Sequence, residues 1–381
     1  MPKFEKLDNG AFDSSGLTAK KFNQLFNQIE KAQKKNRRNA KRTLNRGTFN
    51  NPTSKALKAL GEKAKGMGFT KSDLEAFDKS RKGVAKKYDA RTAGIVYAFL
   101  VKNSRQVDID RANNRVDDGT GVQWANLKGI KGNELIMSVD ASQVSKHQHH
   151  RVKARLEEWD DYMASPPDGD YAKAVKAACA GRISIDCDCG RHQYWYRYIA
   201  TMGNYQIKPP AEFSFPKIRN PELAGVACKH ILRATRMMQT PSIQRQLVKQ
   251  MKAQADKVGF GSDNRTQFID EKTQAQIRRA NRGKQTDRNK ADRDFAKYQK
   301  AQKALDRKLA AQGKTSDKVK RQARRLRKQQ NQLTQMKDMI VFGFNSFADG
   351  YKAQGKTKAQ AINDYAKQLN VTPSRLKGLL K

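Results

Sequence analysis

Apolar residues recur along this chain with two different periods, and the change of period divides it into helical flanks and a mixed centre. Apolar positions follow one another every three or four residues from 19 to about 44, which predicts an amphipathic helix capped by Thr18. Residues 94–101 form a continuous apolar run, typical of a buried strand or a short core helix. Residues 134–139 predict a strand.

The centre continues with a second helical pattern. Val152, Leu156 and Trp159 are spaced to share one helix face, so we predict a helix over 143–163. An alanine-rich segment then predicts a helix over Tyr171–Ala180.

The last 46 residues are more apolar than the stretch before them. The pattern predicts helices over 336–351 and 357–369, and Thr372-Pro373 begins a third with an N-cap residue and a proline at its first position. This arrangement resembles a helix-turn-helix with a short last helix. Two interpretations remain: a plain three-helix bundle that docks on a partner, and a DNA-binding unit.

Together these patterns predict a mostly α protein with a small α+β centre. We divide it into a basic helical N-terminal arm (1–92), the α+β centre (93–240), a second basic helical arm (241–335) and a C-terminal helical bundle (336–381).

Composition adds a strong charge. The 381 residues include 78 Lys and Arg against 37 Asp and Glu, a formal net charge of +41, with a mean hydropathy of −0.89. A compact chain of this charge repels itself unless a polyanion or an assembly neutralises it, and an isoelectric point of about 10.2 favours nucleic acid. We expect DNA as the partner, with RNA as the alternative.

Clusters of cations indicate where phosphates would bind. The candidates, from the N-terminal arm, the centre and the second arm, are Lys34, Lys35, Arg37, Arg38, Lys41, Arg42, Arg191, Arg197, Arg278, Arg279, Arg321, Arg324, Arg325, Arg327 and Lys328.

Three of the four cysteines fall in a metal-ligand pattern. The pair Cys187-Asp188-Cys189 is followed, after 38 intervening residues, by Cys228-Lys229-His230. Three thiolates and one imidazole form a closed set that structural Zn²⁺ prefers, whereas catalytic zinc keeps an open position. Inert buried thiols are the alternative. Cys179 is expected to pack in the Tyr171–Ala180 helix.

The Cys-x-Cys and Cys-x-His pairs resemble the SWIM-type zinc finger, which we place at 179–238. The resemblance implies a β-β-α unit: a strand over Arg182–Asp186, a second strand over His192–Ala200, and a helix after Cys228. It also implies a DNA- or protein-binding module rather than a particular reaction.

The flanks of the finger carry a second resemblance. Residues 189–201, 215–221 and 225–230 are similar to structural proteins of short-tailed phages. This implies a virion component, internal, in the tail or ejected, that is made in the host cytoplasm and contacts other virion proteins or its own copies. A cytoplasmic or nucleoid protein is the alternative location.

Two further groups have competing interpretations. His147, His149 and His150 fit a polar helix surface, a second metal site or a nuclease centre. Aromatic residues interleaved with Arg191 and Arg197 fit either a small core or stacking on single-stranded nucleic acid; they are Tyr194, Trp195, Tyr196, Tyr198 and Tyr205.

No recognisable catalytic motif occurs, so we predict a protein that is not an enzyme. No apolar run is long enough to span a membrane, and the N-terminus lacks an apolar signal core. Three hypotheses follow: a zinc-stapled virion protein bound to nucleic acid, a DNA-binding regulator or mobile-element protein, and a nuclease-like enzyme.

Overall fold

The computed structural model describes residues 4–8, 10–38, 43–63, 66–88, 90–143, 145, 147–255, 266–311, 340–351, 353–369 and 371–380. Residues Met1–Leu305 form one compact unit, and Asp306–Lys381 form a second.

The first unit is built on an antiparallel sheet of six strands in the order β1-β5-β4-β3-β2-β6. The strands are β1 (Ile95–Val96), β2 (Ala125–Lys131), β3 (Glu134–Asp140), β4 (His149–Leu156), β5 (Arg182–Cys187) and β6 (Thr266–Phe268). Thus residues on both sides of position 240 contribute to the same sheet.

The hairpin β2–β3 turns at Gly132, whose φ of 58° lies in the left-handed region that glycine adopts at little cost. Leu135 pairs with Ala154, and Met137 pairs with Val152. These side chains are fully buried, so β3 and β4 form the centre of the core.

In the part of the chain that the structure describes, thirteen α-helices precede the second unit or, in the last case, run into its first residues. In chain order they are α1 (Ala19–Arg38), α2 (Arg46–Asn50), α3 (Ser54–Ala59), α4 (Lys71–Lys87), α5 (Tyr97–Lys102), α6 (Gln106–Ala112), α7 (Trp159–Ala164), α8 (Tyr171–Ala180), α9 (Arg197–Met202), α10 (Lys229–Met238), α11 (Pro241–Ala255), α12 (Glu271–Ala280) and α13 (Arg288–Ala311). A 3₁₀ turn covers Pro167–Gly169, and a π-helical segment covers His192–Tyr196. Every residue of α10 is buried, and this helix packs against β3, β4 and β5.

The first helix, α1, packs through a small cluster of apolar side chains. In α1, Phe22, Leu25 and Phe26 form a buried cluster, as the helical spacing predicts. Helix α1 ends before Leu44, which instead forms an isolated bridge with Phe215.

Several predictions about the centre are confirmed. The strand at 134–139, the strand at Arg182–Asp186, the helix Tyr171–Ala180 and the helix after Cys228 are all present. The 94–101 run contains both predicted alternatives, since the short strand β1 leads directly into α5.

Two local predictions are wrong. Residues 149–156, which we predicted as helix, form β4, because Val152, Ala154 and Leu156 alternate inward and find strand partners on both sides. His192–Ala200, predicted as the second strand of a β-β-α finger, is helical. The segment that carries the four predicted ligands therefore runs from β5 through helical residues 192–202 to α10.

The second unit contains a helix over 340–351 (α14), α15 (Lys358–Gln368) and α16 (Pro373–Leu380). Their apolar faces meet in a cluster around Phe344, Ala361 and Leu376. Thr357 forms a capping box with Gln360 at the start of α15.

Overall the fold is a mixed α+β structure with substantial helix and one antiparallel sheet, which is the coarser part of the predicted class. Among the described residues, no helix combines the length and apolarity needed to cross a bilayer.

Candidate metal centre

The four predicted ligands come from two elements that the sheet brings together. Cys187 ends β5, and Cys189 follows it by two residues. Cys228 is the N-cap residue of α10, and His230 lies in the first turn of that helix. Because α10 packs on β5, the two ligand pairs face each other.

The ligand atoms of these four residues all lie within 4.8 Å of one another, and all four residues are buried. Nδ1 of His230 is 4.0 Å from Sγ of Cys187. The backbone N–H groups of Cys189 and His192 point at thiol sulfurs, Cys187 Sγ at 3.5 Å and Cys189 Sγ at 3.2 Å. Such N–H groups stabilise thiolates.

Ionisation of the three thiols is opposed by burial. Burial raises the pKa of Cys187 and of Cys228 well above the ordinary range. Burial acts against Cys189 too, but hydrogen bonds from the other two thiols and the nearby His230 lower its pKa. Burial thus favours the protonated thiols of Cys187 and Cys228, whereas a divalent ion would favour the thiolate form of all three cysteines.

The geometry fits a tetrahedral ion. A Zn–S bond of about 2.3 Å in a tetrahedron places neighbouring sulfurs about 3.8 Å apart, and ligand atoms that all lie within 4.8 Å of one another can share such an ion. Burial and the neighbouring His150 lower the pKa of His230 to about 4, so its imidazole is neutral and can act as a ligand near pH 7. The cluster is therefore compatible with a metal site.

Polar contacts behind the predicted ligands hold the loop that carries Cys187 and Cys189. Asp188, between the two cysteines, binds His150 Nδ1 at 2.9 Å with Oδ1 and accepts the Arg151 N–H at 3.0 Å with Oδ2. The ring of His150 packs on that of His230 with centroids 4.3 Å apart. Burial disfavours the imidazolium of His150, but Asp188 outweighs this and raises the pKa of His150.

These polar contacts extend to helix α1. Gln33 donates to the Asp188 carbonyl at 3.1 Å. The buried guanidinium of Arg151 binds Asn27 at 2.7 Å and Glu30 at 2.8 Å. Thus the first half of the predicted basic arm packs against the metal-ligand loop, which the sequence pattern did not indicate.

Arg197, a candidate nucleic-acid contact, is only 4 % exposed. Its Nη2 donates to Asp186 at 3.2 Å and to the Cys187 carbonyl at 2.8 Å. Gln206 donates to Asp186 at 2.6 Å as well. Here the guanidinium stabilises the strand that carries Cys187 and presents no surface to a phosphate.

Other candidate cations lie on the surface. Lys34 pairs with Glu30 at 3.1 Å. Arg278 and Arg279 are exposed in the last turn of α12, and the Arg278 guanidinium lies 4.5 Å from the ring centre of Trp124. Arg191 is part-exposed and pairs with Asp108.

The remaining candidates lie outside the described residues. For Lys35, Arg37 and Arg38 the backbone belongs to α1, but the side chains are not described. Wholly outside are Lys41, Arg42, Arg321, Arg324, Arg325, Arg327 and Lys328.

The histidine cluster and Cys179 have distinct environments. His149 and His150 belong to β4 rather than to a helix surface, and the rings of His147 and His150 lie 5.8 Å apart. Cys179 is fully buried in α8, and burial raises its pKa, so it packs in the core as predicted.

Sequence reasoning missed Asp188, although its position between two ligand cysteines was a usable signal. It also missed Asp108, whose partner Arg191 is 83 residues away. Nothing local identifies that pairing.

No family model matches the sequence, and no curated protein or solved structure matches it significantly.

Proposed function

We propose that this protein is a zinc-binding, strongly basic structural protein that associates with nucleic acid. The observation that carries the proposal is the buried Cys187, Cys189, Cys228 and His230 cluster, with its ligand atoms within 4.8 Å, in a chain of net charge +41.

Zinc is favoured over other metals by the ligand chemistry. Three thiolates and one imidazole in a tetrahedral set suit Zn²⁺, whereas Mg²⁺ and Ca²⁺ take oxygen ligands. All four positions are filled by protein atoms, so the ion would link β5 to α10 as a structural element rather than activate water.

The charge supports the nucleic-acid partner. Neutralising phosphates with Lys and Arg releases counter-ions, and the affinity then falls steeply with salt. Charge alone carries no sequence information, so binding by the surface cations would be tolerant of sequence.

Within this proposal, the resemblance of the segments around the metal ligands to short-tailed phage structural proteins favours a virion component, bound to the genome inside or passing through the tail. The corresponding test is mass spectrometry of purified particles, in which the protein should occur at several copies per particle.

Native mass spectrometry tests the metal. We expect one zinc ion per chain, lost on adding a strong chelator and absent from Cys228→Ser. Cys179→Ala is the matched control, because it removes the one cysteine outside the cluster and should keep the metal. A protein that carries no metal after expression with zinc would contradict the proposal.

Salt titration tests the nucleic-acid partner. The affinity for a random duplex should fall linearly on a logarithmic scale with salt, with a slope that reports several phosphate contacts. Absence of binding at about 50 mM salt would contradict it.

A second candidate is a DNA-binding regulator, favoured by the C-terminal unit. There the backbone N–H of Arg375 donates to Thr372 Oγ1 at 3.3 Å at the start of α16, after a short turn from α15. A regulator should retain one defined DNA site in excess competitor DNA, whereas the structural protein should not.

A further inference from the structure

The segment that follows Cys189 has an unusual helical geometry. Residues His192–Tyr196 form a π-helix, a rare conformation that is frequent at functional sites. His192 and Tyr196 are buried, whereas Tyr194 is 44 % exposed and Trp195 is half-buried. The metal-ligand loop therefore continues directly into a surface with two aromatic rings.

Trp195 lies beside two guanidinium groups. The Arg191 guanidinium carbon is 4.3 Å from the Trp195 ring centroid, and that of Arg105 is 5.1 Å away. Both distances are within the range of cation–π contacts. Guanidinium planes and indole rings stack on nucleobases as well as on each other.

A buried carboxylate fixes Arg191. Asp108 has no exposed surface and accepts Nε of Arg191 at 2.7 Å, its Nη2 at 3.2 Å and the Tyr196 hydroxyl at 2.5 Å. These contacts orient Arg191 before any ligand binds, which lowers the entropy lost on binding.

Arg105 is held differently. Its aliphatic stem lies against Gly225, where a Cβ atom would approach Arg105 Cγ to 2.9 Å. Gly225 has a φ of +79°, which also favours glycine. Among the described residues no carboxylate pairs with the Arg105 guanidinium, so its charge is available to a ligand.

From this arrangement we propose that Tyr194, Trp195, Arg105 and Arg191 form a stacking site for single-stranded nucleic acid beside the metal cluster. The inference rests on the proposed function and specifies its ligand: unpaired bases stack on the exposed aromatic and guanidinium surfaces, and Arg105 contacts the phosphate backbone. A duplex cannot use this site, because its bases are already stacked and paired.

Fluorescence anisotropy with a labelled oligo-dT strand and a labelled duplex tests the site on the full-length, metal-loaded protein. Tyr194→Ala should weaken single-strand binding about tenfold, the loss of one stacking contact, without changing the salt slope. Arg105→Ala should weaken it and lower the slope by about one, the loss of one phosphate contact. Duplex binding should stay unchanged in both variants.

Two controls separate stacking from general surface effects. Phe268→Ala removes a ring of similar exposure, 48 %, on β6 and should leave single-strand binding unchanged. Oligo-dT should quench the tryptophan fluorescence of the wild type, and Trp195→Phe should remove that response while Trp124 and Trp159 remain.

The failures are distinguishable. If the wild type binds both probes and the Tyr194 and Arg105 variants match it, or lose duplex and single-strand affinity equally, the stacking site is wrong and the proposed function stands. If the wild type binds neither probe, both proposals are wrong.

Discussion

The metal-ligand region and the C-terminal unit are stabilised by different means. Around Cys187 and His230 the interior holds thiols, imidazoles, carboxylates and guanidinium groups that depend on one another's contacts. The C-terminal unit relies on a small apolar cluster around Phe344 and Leu376, with helix caps at its ends.

This difference predicts different responses to damage. A buried polar network is stable only when all its members are satisfied, so the loss of one member has a large effect. An apolar cluster loses stability roughly in proportion to the buried atoms removed. A single substitution in the polar network of the first unit should therefore cause a large loss of stability. A substitution in the apolar cluster of the second unit should cause a loss that scales with the number of buried atoms removed.

The largest expected effect is that of metal removal. Structural zinc contributes about 10–16 kcal/mol of apparent binding free energy in small zinc modules, so chelation should unfold the β5–α10 region. Hydrogen exchange should show loss of protection across β5 and α10, while α15 is unchanged. Equal protection with and without chelator would contradict a structural role for the metal.

Acidification should follow the same pattern. The metal needs deprotonated thiols, and lowering the pH from 7 to 5 returns protons to them. The pKa of His230 is lowered to about 4 in the fold but is near 6.5 in an unfolded chain, so the stability that its neutral imidazole provides is lost as the pH falls through that window. Zinc release measured against pH with a chromophoric chelator should begin below pH 6.5. His147→Ala is the control and should leave the release curve unchanged.

The next effect concerns the C-terminal unit. Leu376→Ala empties the centre of its apolar cluster and should cost about 3 kcal/mol. Hydrogen exchange should show opening of α15 and α16, with the metal retained. Leu380→Ala, at the partly buried edge of the same cluster, should have a smaller effect; equal effects would place the centre of the cluster elsewhere.

A smaller effect is expected at Asp108. Asp108→Asn keeps the shape but removes the charge that binds Arg191, and should lower the free energy of unfolding by about 2 kcal/mol. Urea denaturation measures it. Asp110→Asn, two residues away on the same helix and less buried, is the matched control and should change stability little.

The smallest expected effect is that of Thr357→Ala. It removes the side-chain half of the α15 capping box and should cost about 1 kcal/mol. Thr357→Ser should restore most of that stability, since a hydroxyl still reaches the Gln360 N–H. Failure of serine to do so would assign the effect to packing rather than to capping.

The spacing of apolar residues predicted the correct element where it fitted only a helix or only a strand. Residues 134–139 and Tyr171–Ala180 are examples. At 149–156 two periods coincide, because Val152 and Leu156 are four residues apart and satisfy both a helix and a strand. The segment forms a strand because it pairs with β3 on one side and β5 on the other, and this pairing cannot be read from the segment's own residues.

The strand prediction for the aromatic segment after Cys189 was wrong for a related reason. Aromatic residues favour strands, but that preference is about 1 kcal/mol and depends on context. Here the Tyr196 hydroxyl donates a hydrogen bond to Asp108, and the backbone N–H of His192 donates one to the sulfur of Cys189. These long-range and metal-loop contacts favour a helical path.

Formal charge was also an incomplete guide to the surface. Several cations serve internal contacts with backbone carbonyls: Arg197 binds Cys187, Arg233 binds Lys284 at 2.6 Å, and Arg236 binds Gln285 at 2.5 Å. They count toward +41 but offer little to a polyanion.

The sequence by itself determined which four residues form the candidate metal cluster, the excess of positive charge and the helices with one clear period, because residue type and spacing are local properties. Only the tertiary structure decided that β4 is a strand, that Arg197 is buried and that α1 packs on the Asp188 loop. Each of these depends on partners that belong to other helices or strands, and no local pattern specifies which of many polar or apolar partners a side chain will meet.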